Sequence, residues 1–217
     1  MNEDDLKNIA NQLSKPDGAS GIQVAEMMHA TNFTMTSDCI DQLDLKDSTS
    51  VLEIGHGNCG HLHYLLGKAD NLNYTGLEIS SLMSEQAMEI NSPFLGKDVD
   101  FVLYDGTTLP FDAATFDAAF TVNTIYFWEE PQEFLKEIYR VLNEKGKFLI
   151  TLADKSFMEK LPFTKYVFNL YETAEIEELA QNAGFEVTAI KENTDEVRSK
   201  VGDLVTRKFY TLTLIKQ

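Results

Sequence analysis

Two of the 217 residues are cysteine, five are proline and one is tryptophan. Cys39 and Cys59 cannot build a disulfide framework, so an apolar core must hold the chain, and a reducing compartment is the default. Basic residues are also scarce, 18 Lys and Arg against 35 Asp and Glu, which leaves a net charge of −17. Such a surface repels phosphate backbones and anionic lipid, so no nucleic-acid partner is expected and a small-molecule substrate is favoured. No apolar run approaches the roughly 20 residues of a membrane span. The start, MNEDDLKNIANQL, has neither the cationic nor the apolar region of a signal peptide. These absences together predict a soluble, cytoplasmic protein, and nothing in the sequence bears on its oligomeric state.

A 43% hydrophobic content is enough for a sizeable core, and one α/β domain spanning 1–217 is expected. Residues 1–47 read as helices joined at SKPDGASG, where Pro16, Gly18 and Gly21 break the pattern. A βα rhythm follows. SVLEIG is a short apolar run ending in glycine, and HLHYLLGKA a helix. LNYTGLEIS is a strand, and SSLMSEQAMEINSPF a helix with Ser80 or Ser81 as its cap. DVDFVLYD and TFDAAFTVNTIYF are further strands. PQEFLKEIYRVLNEKGKFLITLA gives a helix, a glycine-bearing turn and a fifth strand. After FMEKLPFTKYVFNLY come helix TAEIEELAQNAGF and strands EVTAIKEN and RKFYTLTLIKQ. With no helical pattern between them, the last two strands suit an antiparallel hairpin. The alternation implies a doubly wound, mostly parallel sheet covered on both faces.

In such a sheet, ligands bind beyond the carboxyl ends of the strands. VLEIGHGNCG places Gly55, Gly57 and Gly60 after the first strand at the G-x-G-x-x-G spacing of dinucleotide sites. Glu78 ends the second strand, where it can accept from both ribose hydroxyls, so an adenosine cofactor is expected. Both NAD and S-adenosylmethionine meet that requirement. Glu53 separates them. A carboxylate beside the loop repels a pyrophosphate but suits the ammonium and sulfonium of S-adenosylmethionine. Asp105 can accept from an adenine amino group, and the amides of Gly106 and Thr107 can meet ring nitrogens. The chain also has little length left for a hydride-acceptor domain.

VLEIGHGNCG, YTGLEIS, DFVLYDGTTLPFDAATFDAAFTVNTIYFW and EFLKEIYRVLNEKGKFLIT, in this order over roughly residues 45–153, resemble the class I S-adenosylmethionine-dependent methyltransferases. The likeness is to the small-molecule group that includes the ubiquinone and menaquinone methyltransferases (methyltransferase type 11). The resemblance implies a Rossmann-like, seven-stranded sheet with its last strand antiparallel and a helical N-terminal cap. It implies that Glu53, Gly55 and Gly57 hold the methionine part, with His56 and Asn58 of the loop beside it. Glu78 would bind the ribose, Ile79 would flank the adenine, and Asp105 and Gly106 would meet its edge. Asn123 would line the floor near the methionine part. The family commonly has glycine where Cys59 stands, which puts the backbone path at Cys59 and Gly60 in question.

His56, Cys59, His61 and His63 do not have metal-ligand spacing, since His61 and His63 face different sides of a helix, so no metal is expected. Cys59 has no partner for covalent chemistry. Tyr126 and Trp128, in TIYFWEEP, are candidate walls of the substrate site, with core packing as the alternative. Residues 155–172 are a candidate lid containing Phe157, Phe163, Tyr166, Phe168 and Tyr171. In MMHATNFTM, Asn32 is a candidate substrate contact. Methyl transfer from a sulfonium needs alignment more than a base. If one is required, His29, Tyr126 or Tyr166 can supply it. The expected activity is therefore methyl transfer to a small, partly apolar acceptor. The alternatives are a non-catalytic subunit of the same fold that binds cofactor or a partner, and an NAD-dependent oxidoreductase.

Overall fold

A computed structural model describes residues 2–96, 98–198 and 204–217. Two helices lead the chain, α1 (Glu3–Ser14) and α2 (Gly18–Leu43). Asn2 and Asp5 cap α1 reciprocally, each side chain accepting the other's backbone N–H. Asp17 starts α2 by accepting the Gly18 amide at 2.8 Å. At the far end of α2, Lys147 Nζ donates to the Leu43 carbonyl at 2.8 Å, satisfying an acceptor the helix cannot pair itself.

The remainder alternates β1 (Ser50–Ile54), α3 (Leu62–Leu66), β2 (Asn73–Glu78), α4 (Ser81–Ile90), β3 (Val99–Leu103) and β4 (Phe116–Val122). There follow α5 (Pro131–Val141), β5 (Leu142–Ala153), α6 (Lys155–Met158), α7 (Thr173–Asn182), β6 (Phe185–Arg198) and β7 (Leu204–Lys216). The strands form one seven-stranded sheet in the order β3-β2-β1-β4-β5-β7-β6. β7 runs antiparallel to both its neighbours, and the other pairings are parallel. The expected fold class and the closing hairpin are both present. Among the described residues, no helix is long and apolar enough to cross a membrane.

Several bounds differ from the expected ones. The run from Thr115 does not stay extended to Phe127. β4 stops at Val122, Asn123 takes a left-handed φ of 58°, and a 3-10 turn covers Ile125–Phe127. The helix expected from His61 is one turn and a residue long. Ser80 caps α4 through the Met83 amide, 3.2 Å away. β5 starts directly after α5, and its pairing with β4 shifts register between Phe116 and Ala118, which absorbs the NEKG segment into the strand.

Alternation along the strands divides the core into two layers. Leu52, Ile54 and Leu77 face the cluster built with α5, α7 and β5. Val51 and Tyr74 face the cluster under α2, α3 and α4. By the same period of two, Glu53 shares the face of Val51, and Gly76 and Glu78 share that of Tyr74. Glu53 and Gly76 are register partners across β1 and β2. The sheet therefore presents two carboxylates, at its carboxyl edge, to the face covered by α2.

Candidate functional site

Glu53 is 3% exposed. His61 Nε2 approaches its Oε2 at 2.9 Å, and the Tyr74 hydroxyl donates to the same oxygen at 2.5 Å. Burial would raise the Glu53 carboxyl, but the charge and hydrogen bond of His61 outweigh it and hold it below its usual range. Burial likewise opposes the His61 cation, and Glu53 and Cys59 overcome it, holding the imidazole protonated well above its ordinary range. The pair is thus a buried carboxylate and imidazolium. Glu53 thus has a counter-charge eight residues along the chain.

The glycine loop is shaped by different needs at each position. Gly55 has φ +74° and would drive a Cβ to 2.4 Å from Thr124 Cγ2, so its absence of side chain is a packing requirement. At Gly57, φ +57°, a Cβ would meet nothing within 4 Å, so the loop leaves open space there. Its amide donates to Glu78 Oε2 at 3.0 Å. Glu78 Oε1 accepts from the amides of Ile79 at 2.8 Å and Ser80 at 3.0 Å. Burial raises the Glu78 carboxyl, and these three amides pull it back. A carboxylate offers about four acceptor positions, so one remains for a ligand hydroxyl.

Cys59 adopts φ 49°, a left-handed conformation that glycine takes without strain and most side chains avoid. Its buried sulfur lies 3.2 Å from the Tyr74 hydroxyl. Gly60 then has its own reason. A Cβ there would lie 2.9 to 3.2 Å from three atoms of the His29 ring, so the missing side chain makes room for α2. Cys59 and Gly60 together fit a histidine from α2 against the loop.

His56 is buried with its Nδ1 2.7 Å from the Gly57 carbonyl and its ring 4.9 Å from that of Phe101. Among the described residues its Nε2 has no hydrogen-bond partner. Burial drives the imidazole down to about 4, against the opposing charge of Glu53. His56 is therefore neutral at pH 7.

A cavity of ≈70 Å³ lies between α2 and the loop, lined by His29, Asn32, Glu53, Gly55, His56, Gly57, Asn58 and His61, with Met28, Thr36, Met83 and Val122 among the others. Met27 and Phe33 point outward and are exposed. Asn123 stands nearby in the sheet edge, its Oδ1 receiving the Tyr126 hydroxyl and the Ala153 amide, each at 3.3 Å. A second cavity, of ≈380 Å³, borders Gly106, Thr107, Thr108, Trp128 and the glutamates of α5 and the turn before it. Asp105 is exposed, and its Oδ1 accepts from the amides of Thr107 and Thr108, which lower its carboxyl. Ile79 packs on Gly106, with its Cγ2 3.3 Å from where a Cβ would stand.

Other sequence candidates lie elsewhere. Tyr126 is 2% exposed, and its hydroxyl receives the Ala153 amide at 2.8 Å. Burial pushes that hydroxyl up, so it is no proton acceptor near neutrality. Trp128 packs edge-on against Phe134, with ring centroids 4.7 Å apart. Both side chains are core residues, as packing at the start of α5 requires. Tyr166 directly follows the 3-10 turn Pro162–Lys165, with Lys7 Nζ 5.7 Å from its ring centre. Phe168 is stapled to Phe127, centroids 4.6 Å apart, and the Asn169 amide donates to the Tyr126 carbonyl at 2.9 Å.

The ligating atoms of Glu53, Cys59 and His61 all lie within 4.8 Å of one another. Spacing along a helix did not reveal this trio, because one member comes from a strand. Glu53 Oε2 bonds His61 and Tyr74, and Cys59 bonds Tyr74, so the three are tied through Tyr74, with Glu53 Oε1 outside the set. Tyr74 was likewise missed, although its place two residues before Gly76 and four before Glu78 puts it on their face.

Residues 52–150 match the model of a methyltransferase domain. An uncharacterized methyltransferase of Bacillus subtilis (strain 168), YdaC, is 28% identical over 129 residues, covering 59% of this chain and 70% of that protein. Phosphoethanolamine N-methyltransferase 3 of Arabidopsis thaliana is 28% identical over 166 residues, covering 74% of this chain and 34% of its own length. The chain thus spans about a third of that enzyme. Among solved structures, the Haloferax volcanii complex of the Trm112 methyltransferase activator with a putative methyltransferase matches at TM-score 0.73 and 17% identity, covering 89% of this chain and 94% of that one. Phosphoethanolamine N-methyltransferase 2 of Haemonchus contortus, solved with S-adenosyl-L-methionine, matches at TM-score 0.72 and 16% identity, covering 97% of this chain and 60% of that one. At these identities the structural likeness is one of fold.

Proposed function

We propose that the chain is a class I S-adenosylmethionine-dependent methyltransferase and that the cavity between α2 and the glycine loop receives the methionine end of the cofactor. The carrying observation is the open space at Gly57, in a cavity that Glu53 and Asn32 also line. The loop residues Gly55, His56, Gly57 and Asn58 form its floor, with Asn123 beside them. The remaining acceptor position of Glu78 suits a ribose hydroxyl. Ile79 and the Asp105–Thr107 turn flank the adenine.

The cavity of ≈70 Å³ is small beside ligand sites of roughly 300–1,000 Å³. On this assignment it holds only one end of the cofactor. In this reading residues 1–47 act as a cap and residues 155–172 as a lid, the latter anchored through Phe168 to the turn at Tyr126 and Phe127.

The bound cofactor supplies an activated methyl on a sulfonium. The protein's part is to hold donor and acceptor in line and to exclude water, which can account for much of the rate. Of the three candidate bases, His29 is the one at the cavity. Burial and the neighbouring His61 charge lower its imidazole, so it is neutral at pH 7 and can take a proton from an acceptor. The acidic surface and the phosphoethanolamine enzymes among the relatives support a small-molecule acceptor, an amine being the first class to try.

Calorimetric titration tests the cofactor assignment. S-adenosylhomocysteine is expected to bind at micromolar concentration and NAD not to bind. Tight NAD binding without a response to S-adenosylhomocysteine would sink the assignment. A labelled methyl donor with a metabolite extract then identifies the acceptor. Cofactor binding without any labelled product would instead mark a non-catalytic subunit.

A further inference from the structure

Arg207 of β7 and Asp195 of β6 are register partners across the closing hairpin. Both side chains are buried, 7% and 6% exposed. Arg207 Nε donates to Asp195 Oδ1 at 3.0 Å and its Nη2 to Oδ2 at 2.6 Å. The same guanidinium reaches α2, where Nη2 donates to the Thr31 carbonyl at 2.8 Å and Nη1 to Asn32 Oδ1 at 3.0 Å.

A guanidinium only donates, so the atom of Asn32 that faces it must be the carbonyl oxygen. The carboxamide is planar, and its NH2 therefore lies on the side away from Arg207. Asn32 also lines the cavity that holds Glu53 and Gly57. We propose that Arg207 and Asp195 are positioning residues for the cofactor: they fix the Asn32 carboxamide so that its NH2 donates to the carboxylate of the methionine end. The inference rests on the assignment of that end to this cavity. Its chemistry is that of an amino-acid zwitterion between walls of opposite polarity. Glu53 uses only Oε2 for His61 and Tyr74, and among the described residues its Oε1 has no partner, which leaves an acceptor for the ammonium. Asn32 supplies a donor for the carboxylate. An unclamped carboxamide could rotate and present oxygen instead. The clamp removes that choice, and it joins the cofactor slot to a hairpin 175 residues along the chain.

The test uses two ligands, S-adenosylhomocysteine and its decarboxylated analogue, which keeps the amine. Asn32→Asp preserves shape and the bond to Arg207 but replaces the donor by an acceptor. It should weaken S-adenosylhomocysteine at least about tenfold and should not weaken the analogue, whose ammonium is attracted by the added charge. The paired replacement Arg207→Met with Asp195→Leu removes both buried charges together. It should weaken S-adenosylhomocysteine several-fold and spare the analogue. A merely structural role would weaken both ligands alike, and that result overturns the proposal, as does native affinity in Asn32→Asp. If the paired variant fails to fold, the isosteric Asn32→Asp decides alone. Native protein that binds no S-adenosylhomocysteine overturns the cofactor assignment and this inference with it. Native binding left unchanged by Asn32→Asp overturns this inference only.

Discussion

Gly76 has no side chain because three neighbours occupy the place of one. A Cβ there would lie 2.7 Å from His56 Cδ2, 2.9 Å from the Tyr74 hydroxyl and 3.0 Å from Phe101. Two of these belong to the site: His56 bonds the Gly57 carbonyl, and Tyr74 bonds Glu53. Gly76→Ala should therefore cost about 1–3 kcal/mol by overpacking and also weaken cofactor binding, because the displaced rings carry the loop. Urea unfolding and a binding titration on the same sample check it. Unchanged stability would mean that the neighbours yield freely, and the site would then be less rigid than its contacts suggest. The sequence showed Gly76 only as part of YTGLEIS. Its role is a close approach between strands, legible only once His56 is seen folded back over β2.

At the scale of elements, patterns that depend on near neighbours were readable. Ser80 capped α4 as expected, the βα alternation gave the parallel sheet, and the lack of a helix between the last strands gave the hairpin. Elements whose ends depend on distant partners were not. β4 ends at Val122 because Asn123 turns to a left-handed φ of 58°, where its Oδ1 receives the Tyr126 hydroxyl and the Ala153 amide from beyond the strand. Glu53, by contrast, was found from its place before the loop, yet its partner His61 was weighed only as a metal ligand. Arg207 passed unnoticed, since nothing near it in sequence points to α2. Lys147 is a further long-range device. Its ammonium caps the C-terminal end of α2 at Leu43, across 104 residues of sequence. Lys147→Met keeps the apolar stem and removes the donor. It should cost about 1–2 kcal/mol, the price of leaving a half-buried carbonyl unpaired. Faster hydrogen exchange confined to the last turn of α2 would locate the loss there. A loss spread over β5 instead would make the lysine a strand residue first.

For the whole molecule, two electrostatic effects act on stability and salt separates them. The net charge of −17 is spread over an exposed surface, so its self-repulsion weakens as salt is added. The His61 and Glu53 pair is buried and is screened far less. Its pH dependence has a definite sign. The folded imidazole of His61 stays protonated well above the 6.5 of an unfolded one. Its contribution is therefore fully present below about pH 6.5 and is lost as pH rises through the folded value. Within that window the folded state holds one proton more than the unfolded state, and stability falls by about 1.4 kcal/mol per pH unit. His56 acts in the opposite window. Its folded imidazole is depressed to about 4, so stability is lost as pH falls from 6.5 toward that value. Removing His61 should erase the alkaline slope and leave the acid one. His61→Gln keeps a donor for Glu53 but no charge, and it should lower stability by about 3–5 kcal/mol near pH 6.5, because the carboxylate is left buried without its counter-ion. The measurement is urea unfolding from about pH 6.5 to about pH 7.5, below the range where the unfolded thiols of Cys39 and Cys59 ionise, at about 0.5 M salt, where surface repulsion is damped. Native protein should lose stability across this range while the variant stays level. Parallel curves would show that His61 is not protonated in the folded state, and Glu53 would then face the cofactor as an uncompensated charge.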